Sequence, residues 1–374
     1  MKTNYFTRSN LGFGDKILSL DFKLIFLVLL LGVISFFAIY STEKGNIDYY
    51  TESHFYRFCI FFLLFIVLSF IKINFWYKLA YPFYLIVLAL LIVVHFFGIT
   101  ASGSTRWINL FVFNLQPSEL MKIALIIFLA RYYNRRTLVD VNQLKYMILP
   151  TFALFLPVAL VVIQPDLGTA LLLAIGGLAV VWLAGFRIKY FIYSFITFIC
   201  LAPAVIAILK PYQKLRILTF FNPERDPLGA GYQIIQSKIA IGSGGLFGKG
   251  FLRGSQSYLD YLPEKHTDFI FTLFSEEFGF VGSVSLLVIY ALIIYRIIVA
   301  GNLSRNNFAK LYCYGFAAAF FVYVAINMSM VLGLVPIVGA PLPIMSYGGS
   351  AMLSIMIGLG IVMSCRVYNK DEVS

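Results

Sequence analysis

Residues 22–41 read FKLIFLVLLLGVISFFAIYS, an apolar run whose one charge, Lys23, stands at its start. At about 1.5 Å per residue a helix of this length reaches about 30 Å, the thickness of a bilayer's hydrocarbon core. Nine more apolar segments follow, at about 55–71, 76–98, 118–133, 146–163, 168–185, 190–209, 269–299, 307–329 and 349–366. Over all 374 residues, 60% are hydrophobic and 12% charged, with a mean hydropathy of +0.87. A soluble domain is about half apolar and about a quarter charged. The composition therefore excludes a soluble enzyme, a disordered chain and a fibre. It predicts an all-α polytopic membrane protein with about ten transmembrane helices in a single domain over 1–374. The first segment is too long for a cleaved signal peptide, and no small-residue cleavage site follows Tyr40-Ser41-Thr42.

The net charge is +12. No basic, aromatic-interleaved soluble segment exists to carry nucleic acid, so the charge reads as cytoplasmic anchoring of helix ends. With the N-terminus placed inside, seventeen Lys and Arg fall in inside segments and four in outside ones, setting aside eight in one long loop at about 210–268. Long loops obey this rule weakly. The count predicts a multi-pass protein of the cytoplasmic membrane with both termini in the cytoplasm. The long loop then lies outside, between the seventh and eighth helices, and its amphipathic stretch Gln233–Ile241 predicts a helix lying in the interface. Repeats of 20–50 residues and a duplicated half are absent by eye, which weighs against an inverted-repeat transporter. Cys59, Cys200, Cys313 and Cys365 all lie in apolar runs and are expected to be buried packing residues. With three histidines and no H-E-x-x-H, no metal site is signalled.

Charges within membrane helices are costly and so mark function by default. Here they cluster at the outer helix ends. Gln116-Pro117-Ser118-Glu119-Leu120-Met121-Lys122 opens the fourth helix. Glu119 and Lys122 are spaced to pair on one face. They read equally as a structural ion pair or as a lysine facing a cavity, set in place by the acid. Arg106, before Trp107, fits an interfacial anchor or the recognition of a phosphate by guanidinium. Asp166, in Gln164-Pro165-Asp166, is placed to cap the sixth helix. Gly242-Ser243-Gly244-Gly245-Leu246-Phe247-Gly248-Lys249-Gly250 lacks P-loop spacing and is expected to be flexible, with approach of backbone to a phosphate or sugar as the minor reading. Asp268, in His266-Thr267-Asp268, stands where the loop meets the eighth helix, either as a helix cap or as a base. Glu276 and Glu277 lie about two turns deeper and either extend a polar lining or cap a kink near Gly279. The three prolines of Val335–Pro343 forbid a regular helix, so that segment must be buried or line a cavity.

Taken together, Gly103–Trp107, Gln116–Lys122, Gln164–Ala170, Phe221–Gly250, Leu262–Phe271 and Leu334–Ser350 resemble the SEDS family of bacterial cell-wall polymerases, end to end and in the family's order. Gln236–Gly245, Gly248–Gly250 and Gly333–Pro343 fit the elongation branch better than the division branch. The resemblance implies a ten-helix peptidoglycan glycosyltransferase that polymerises lipid II at the outer face of the membrane, during elongation and rod-shape maintenance. It implies Asp268 as the catalytic acid–base residue, with Arg106, Glu119, Lys122 and Asp166 as substrate-binding residues. Arg216 and Lys238 of the loop join them as further cations for the diphosphate. A divalent cation, Mg²⁺ or Mn²⁺, would share that task if bound, though no ligand motif stands in the sequence. The implied partners are a class B penicillin-binding protein acting as transpeptidase and other membrane proteins of the elongation complex. A lipid II flippase is the rival reading.

Overall fold

The computed structural model describes residues 12–101, 104–109, 114–208, 214, 218–220, 222, 230–255, 262 and 264–372. Each of the ten apolar segments forms one helix. In chain order the helices are α1 Phe13–Leu18, α2 Phe22–Thr42, α3 Tyr49–Ser69, α4 Ile73–Phe97, α5 Pro117–Tyr133, α6 Leu138–Val141, α7 Leu144–Ile163, α8 Leu167–Leu183, α9 Ile188–Ile208, α10 Ala230–Ser243, α11 Ile270–Leu303, α12 Asn307–Val331 and α13 Gly349–Val367. Among the described residues, α2, α3, α4, α7, α11, α12 and α13 are long and apolar enough to cross a membrane. The helices α1 and α6 are short pieces at chain turns, and α10 belongs to the long loop.

One helix organises the bundle. α5 buries fourteen of its seventeen residues, because it is apolar around its whole circumference and must be enclosed on every side. Its neighbours are α4, α7, α8, α12 and α13. The outer helices instead turn Phe26, Leu63, Ile86 and Ile196 outward, as lipid-facing surfaces do. The same fact corrects the cysteine expectation. Cys313 and Cys365 are buried, but Cys59 and Cys200 are exposed, since an apolar run in a membrane helix faces lipid as readily as protein.

Among the described residues the helices are joined by one small sheet. β1 Ile99–Ala101, β2 Ser104–Asn109 and β3 Asn114–Leu115 pair antiparallel in the order β1-β2-β3. Ile99 stands opposite Trp107, and Ile108 opposite Leu115. The all-α expectation missed this sheet because its strands are two to six residues long, too short to register beside twenty-residue apolar runs.

The glycine-rich stretch is held against α11 by backbone hydrogen bonds. α11 is broken at Gly279, which has φ +66°. In an unbroken helix the N–H groups of Phe280 and Val281 would bond to the carbonyls of Glu276 and Glu277. They donate instead to Gly245 O at 2.9 Å and Leu246 O at 3.0 Å. Lys249 and Gly250 then donate to the freed carbonyls of Glu276 and Glu277, both at 3.0 Å. The loop is thus spliced into the hydrogen-bond ladder of the helix. The fit requires glycine: Gly248 has φ +81°, and a Cβ there would collide with the Glu277 carbonyl. Lys249 Nζ reaches Glu276 Oε1 at 2.6 Å, Ser255 donates to the same oxygen at 2.9 Å, and Ser41 donates to Glu277. Of the two readings for these acids, the structure has the kink.

α10 packs on the bundle rather than lying free. Ser237 is bonded to Thr272 Oγ1 and to Val331 O, both at 2.7 Å, while Ile235, Lys238 and Ile239 face outward.

The proline segment between α12 and α13 is non-helical and pinned by side chains. Tyr290 donates to Pro343 O at 2.8 Å, Ser35 to Met345 O at 2.9 Å and Asn327 to Ala340 O at 2.6 Å. Irregular backbone at membrane depth persists only when its polar groups find such partners.

Candidate functional site

At the start of α5, Pro117 takes the first helical position and Glu119 the first turn, where the missing proline N–H costs nothing and a carboxylate meets the positive helix end. Lys122 Nζ donates to Glu119 Oε1 at 2.7 Å and to Tyr323 Oη at 2.6 Å. The Tyr323 hydroxyl lies 3.0 Å from both Glu119 oxygens. All three side chains are buried. The ion pair expected from the i,i+3 spacing is present, but closed into a triad by a tyrosine from α12.

A second cluster adjoins the first. Asp166 is the N-cap of α8, accepting from Thr169 N at 3.1 Å and Thr169 Oγ1 at 2.9 Å. The same carboxylate accepts from Gln116 Nε2 at 3.2 Å and Arg106 Nη1 at 3.4 Å. The capping reading of Asp166 therefore holds, and the residue also anchors Arg106. β2 carries Arg106 to this point with its guanidinium 5.9 Å from the Trp107 ring. The Arg106 Nε is buried without a partner among the described residues, a donor left for an incoming acceptor.

Asp268 lies half-buried in the turn ahead of α11. The N-cap position of that helix is Phe269, one residue after Asp268. Its backbone is clamped instead. Asn327 donates to Asp268 O at 3.0 Å, Ser346 to Thr267 O at 2.6 Å and the Tyr347 N–H to His266 O at 2.8 Å. Across from it stands Gly339, with φ +68°, where a Cβ would come 3.5 Å from Asp268 Oδ2. The proline segment thus forms the wall that Asp268 faces.

The structure joins Arg106, Glu119, Lys122 and Asp166 into neighbouring networks and links Asp268 to them through α12. Lys238 stays apart: it lies on the exposed face of α10 against Gly333 and makes no ion pair among the described residues. Arg216 falls outside the described residues.

Three residues escaped the sequence reading. Tyr323 and Asn327 lie in an apolar run and look like packing until their partners are known; a four-residue spacing of polar side chains in α12 was the available signal. Arg57 counted only as an outside charge. It stacks 4.8 Å from the Tyr347 ring and lines Gly349, with no carboxylate partner among the described residues. The signal was its position about two turns inside α3, too deep for an ordinary helix-end cation.

Metal fit is poor on this geometry. Among the described residues no three His, Cys, Asp or Glu side chains gather to hold a cation; Glu119 already accepts three hydrogen bonds, from Lys122 and Tyr323, and Asp166 four, from Thr169, Gln116 and Arg106.

Residues 19–371 match the sequence family FtsW/RodA/SpoVE, described as cell cycle protein. The chain is 40% identical over 359 residues to the peptidoglycan glycosyltransferase MrdB of Escherichia coli K12, covering 96% of each. It resembles a solved chain from "Structural coordination of polymerization and crosslinking by a peptidoglycan synthase complex", with a TM-score of 0.81, 32% identity, and 94% of this chain and 99% of that chain covered. It also resembles the rod shape determining protein RodA of Thermus thermophilus, with a TM-score of 0.72, 27% identity, and 94% and 98% covered. A match that runs from the first membrane helix to the last, over the same polar end that holds Glu119, Asp166 and Asp268, leaves one conclusion: the chain belongs to the SEDS family.

Proposed function

We propose that this protein is a peptidoglycan glycosyltransferase that polymerises lipid II into glycan strands at the outer face of the cytoplasmic membrane, serving elongation and rod shape. The observation that carries the reading is Asp268. It is a carboxylate at the polar end of the bundle, one residue ahead of the N-cap of α11, and its backbone is held by clamps from α12 and the proline segment. A fixed backbone with the carboxylate facing Gly339 suits the positioning of a general base.

In the reaction, Asp268 accepts the proton of the 4-hydroxyl on the acceptor's terminal GlcNAc. That oxygen bonds to the anomeric carbon of the donor as the bond to the lipid diphosphate breaks, and the diphosphate leaves with the electron pair. A single displacement inverts an α-linked donor to a β-1,4 product, so no covalent enzyme intermediate is needed. Arg106, with its unpartnered Nε, and Arg57 are proposed to meet the diphosphate as its charge develops. Lys122, closed into its triad, contributes positive potential and rigidity with Glu119, and Asp166 holds Arg106. Lys238 and Arg216 are proposed to guide the diphosphate. A divalent cation would add charge at the diphosphate; no step is routed through one.

The charge distribution supports this orientation. Arg131, Arg135, Arg136, Lys145, Arg187, Arg296 and Arg366 all lie toward the opposite end from Asp268, as the cytoplasmic end should. The likeness to a chain of a polymerising and crosslinking complex supports a transpeptidase of the class B penicillin-binding type as partner.

The test is strand formation from labelled lipid II by purified protein in liposomes, wild type beside Asp268→Asn. The variant should lose about 10²–10⁴-fold in rate while still binding lipid II. Activity within a few-fold of wild type would remove Asp268 as base. Lipid II crossing the bilayer without polymer would support the flippase instead.

A further inference from the structure

At the end of the bundle away from Asp268, α4, α5 and α7 enclose a cavity of about 610 Å³. On α5 it begins at Phe128, about 13.5 Å along the helix from Glu119 at 1.5 Å per residue, so it is separate from the polymerising site. Its two ends differ in chemistry. One is basic: Arg131, Arg135 and Arg136 line it from the last turn of α5 onward. The other is apolar: Leu85, Leu149 and Phe152 line it and are exposed at 61%, 48% and 60%, so the cavity opens sideways to where acyl chains lie.

Arg131 and Arg136 are held in place by contacts that leave their charge unpaired. Arg131 donates to Lys78 O at 3.0 Å and stacks on Tyr81 and Tyr77 at 4.1 and 4.7 Å. Arg136 stacks on Tyr146 at 4.3 Å. No ion pair to a carboxylate is made by any of the three among the described residues. Asp140 feels the charge of Arg136, but its carboxylate is bonded to Thr137, whose N–H and Oγ donate to it at 3.1 and 2.8 Å. Stacking fixes a guanidinium's plane while leaving its edge donors free, and that edge matches phosphate oxygens.

We propose that this cavity is a binding site for an anionic glycerophospholipid of the cytoplasmic leaflet. Its phosphate lies against Arg131, Arg135 and Arg136, and its acyl chains run along Leu85, Leu149 and Phe152. Basic pockets between membrane helices on the cytoplasmic side are suited to such head groups. A soluble anion would use the arginines and leave the lateral apolar opening without purpose. A zwitterionic lipid would compensate the three arginines less, because its own cation offsets the phosphate charge.

The test is native mass spectrometry of the full-length protein titrated with phosphatidylglycerol, phosphatidylcholine, undecaprenyl phosphate or inorganic phosphate. Phosphatidylglycerol should bind in preference to phosphatidylcholine. Arg135→Gln with Arg136→Gln should weaken it about thirtyfold, at about fivefold for each charge removed. Leu85→Trp changes no charge and fills the lateral opening, and should also lose phosphatidylglycerol. Thermal unfolding in detergent without lipid checks that each variant is folded; should the arginine variant not fold, the tryptophan variant carries the test. Equal binding of the two phospholipids, or unchanged phosphatidylglycerol binding in Leu85→Trp, would overturn the proposal. Displacement of phosphatidylglycerol by equal undecaprenyl phosphate or by inorganic phosphate would overturn it too, assigning the site to a polyprenyl lipid or to an ion.

Discussion

Tyr323 and Asn327 stand one turn apart on α12 and hold the two halves of the site: Tyr323 closes the Glu119–Lys122 pair, and Asn327 ties down the backbone of Asp268. Four residues of helix separate them by about 6 Å. The ion pair and the base are therefore spaced by one rigid element, and a disturbance of either anchor should be felt at the other.

Tyr323→Phe keeps the ring and removes the hydroxyl. Lys122 loses an acceptor and Glu119 a donor in a buried setting, which costs about 1–3 kcal/mol per unsatisfied group. A lowered Tm in detergent is expected, with strand formation reduced more than lipid II binding. An unchanged Tm and rate would show that the tyrosine only fills space.

Asn327→Leu is close in volume and removes both clamps, on Asp268 O and Ala340 O. Asp268 keeps its carboxylate but loses its fixed position. A drop in kcat with little change in lipid II affinity is expected. Because Asn327 acts through Asp268, adding Asp268→Asn to this variant should cost much less than it does in wild type, and a fully additive loss would refute the coupling.

Lys122→Ala leaves Glu119 as an uncompensated buried charge, and breaking a buried pair costs about 3–5 kcal/mol. Glu119→Gln with Lys122→Met removes both charges and should restore the folded yield. The glycan assay separates the roles: full activity in the double variant would make the pair purely structural.

Gly248→Ala forces a side chain into φ +81° and against the Glu277 carbonyl. Positive φ at a non-glycine residue alone costs about 1–3 kcal/mol. Loss of folded protein is expected, whereas Gly242→Ala, with open space around its Cβ position, should be tolerated. Equal tolerance at both positions would mean the splice into α11 is not tight.

The topology is checked by labelling with a membrane-impermeant maleimide. Asn46→Cys should react in intact spheroplasts and Thr137→Cys only after permeabilisation. Cys59 and Cys200, on apolar helix surfaces, should give little background. Reaction of Thr137→Cys from outside would invert the orientation and move Asp268 to the cytoplasm.

The helices were legible because a bilayer imposes one length on all of them, so an apolar run such as 22–41 has one sensible reading. The Glu119–Lys122 pair was legible because i,i+3 spacing is local. Tyr323 was not: its role depends on a contact 201 positions away in sequence, and its neighbours are all apolar. The Gly242–Gly250 stretch misled for a related reason. Glycine marks backbone freedom equally in a mobile loop and in one threaded tightly against another backbone, and only the partner, broken at Gly279, distinguishes them. Asp268 was left between cap and base because the two roles differ by a single residue of helix register.

The threading of residues 245–250 into α11 bears on how the protein is made. As α11 enters the bilayer it lacks two donors and two acceptors of its own ladder, and an unsatisfied backbone group in hydrocarbon costs several kcal/mol. The segment that supplies them is synthesised first and, in the proposed orientation, must already have been exported. Biogenesis therefore has an order, with the loop arriving before the helix that needs it. A stretch that by composition invites tags and linkers should then reject insertions between Gly244 and Gly250 more strictly than the helices around it reject substitutions.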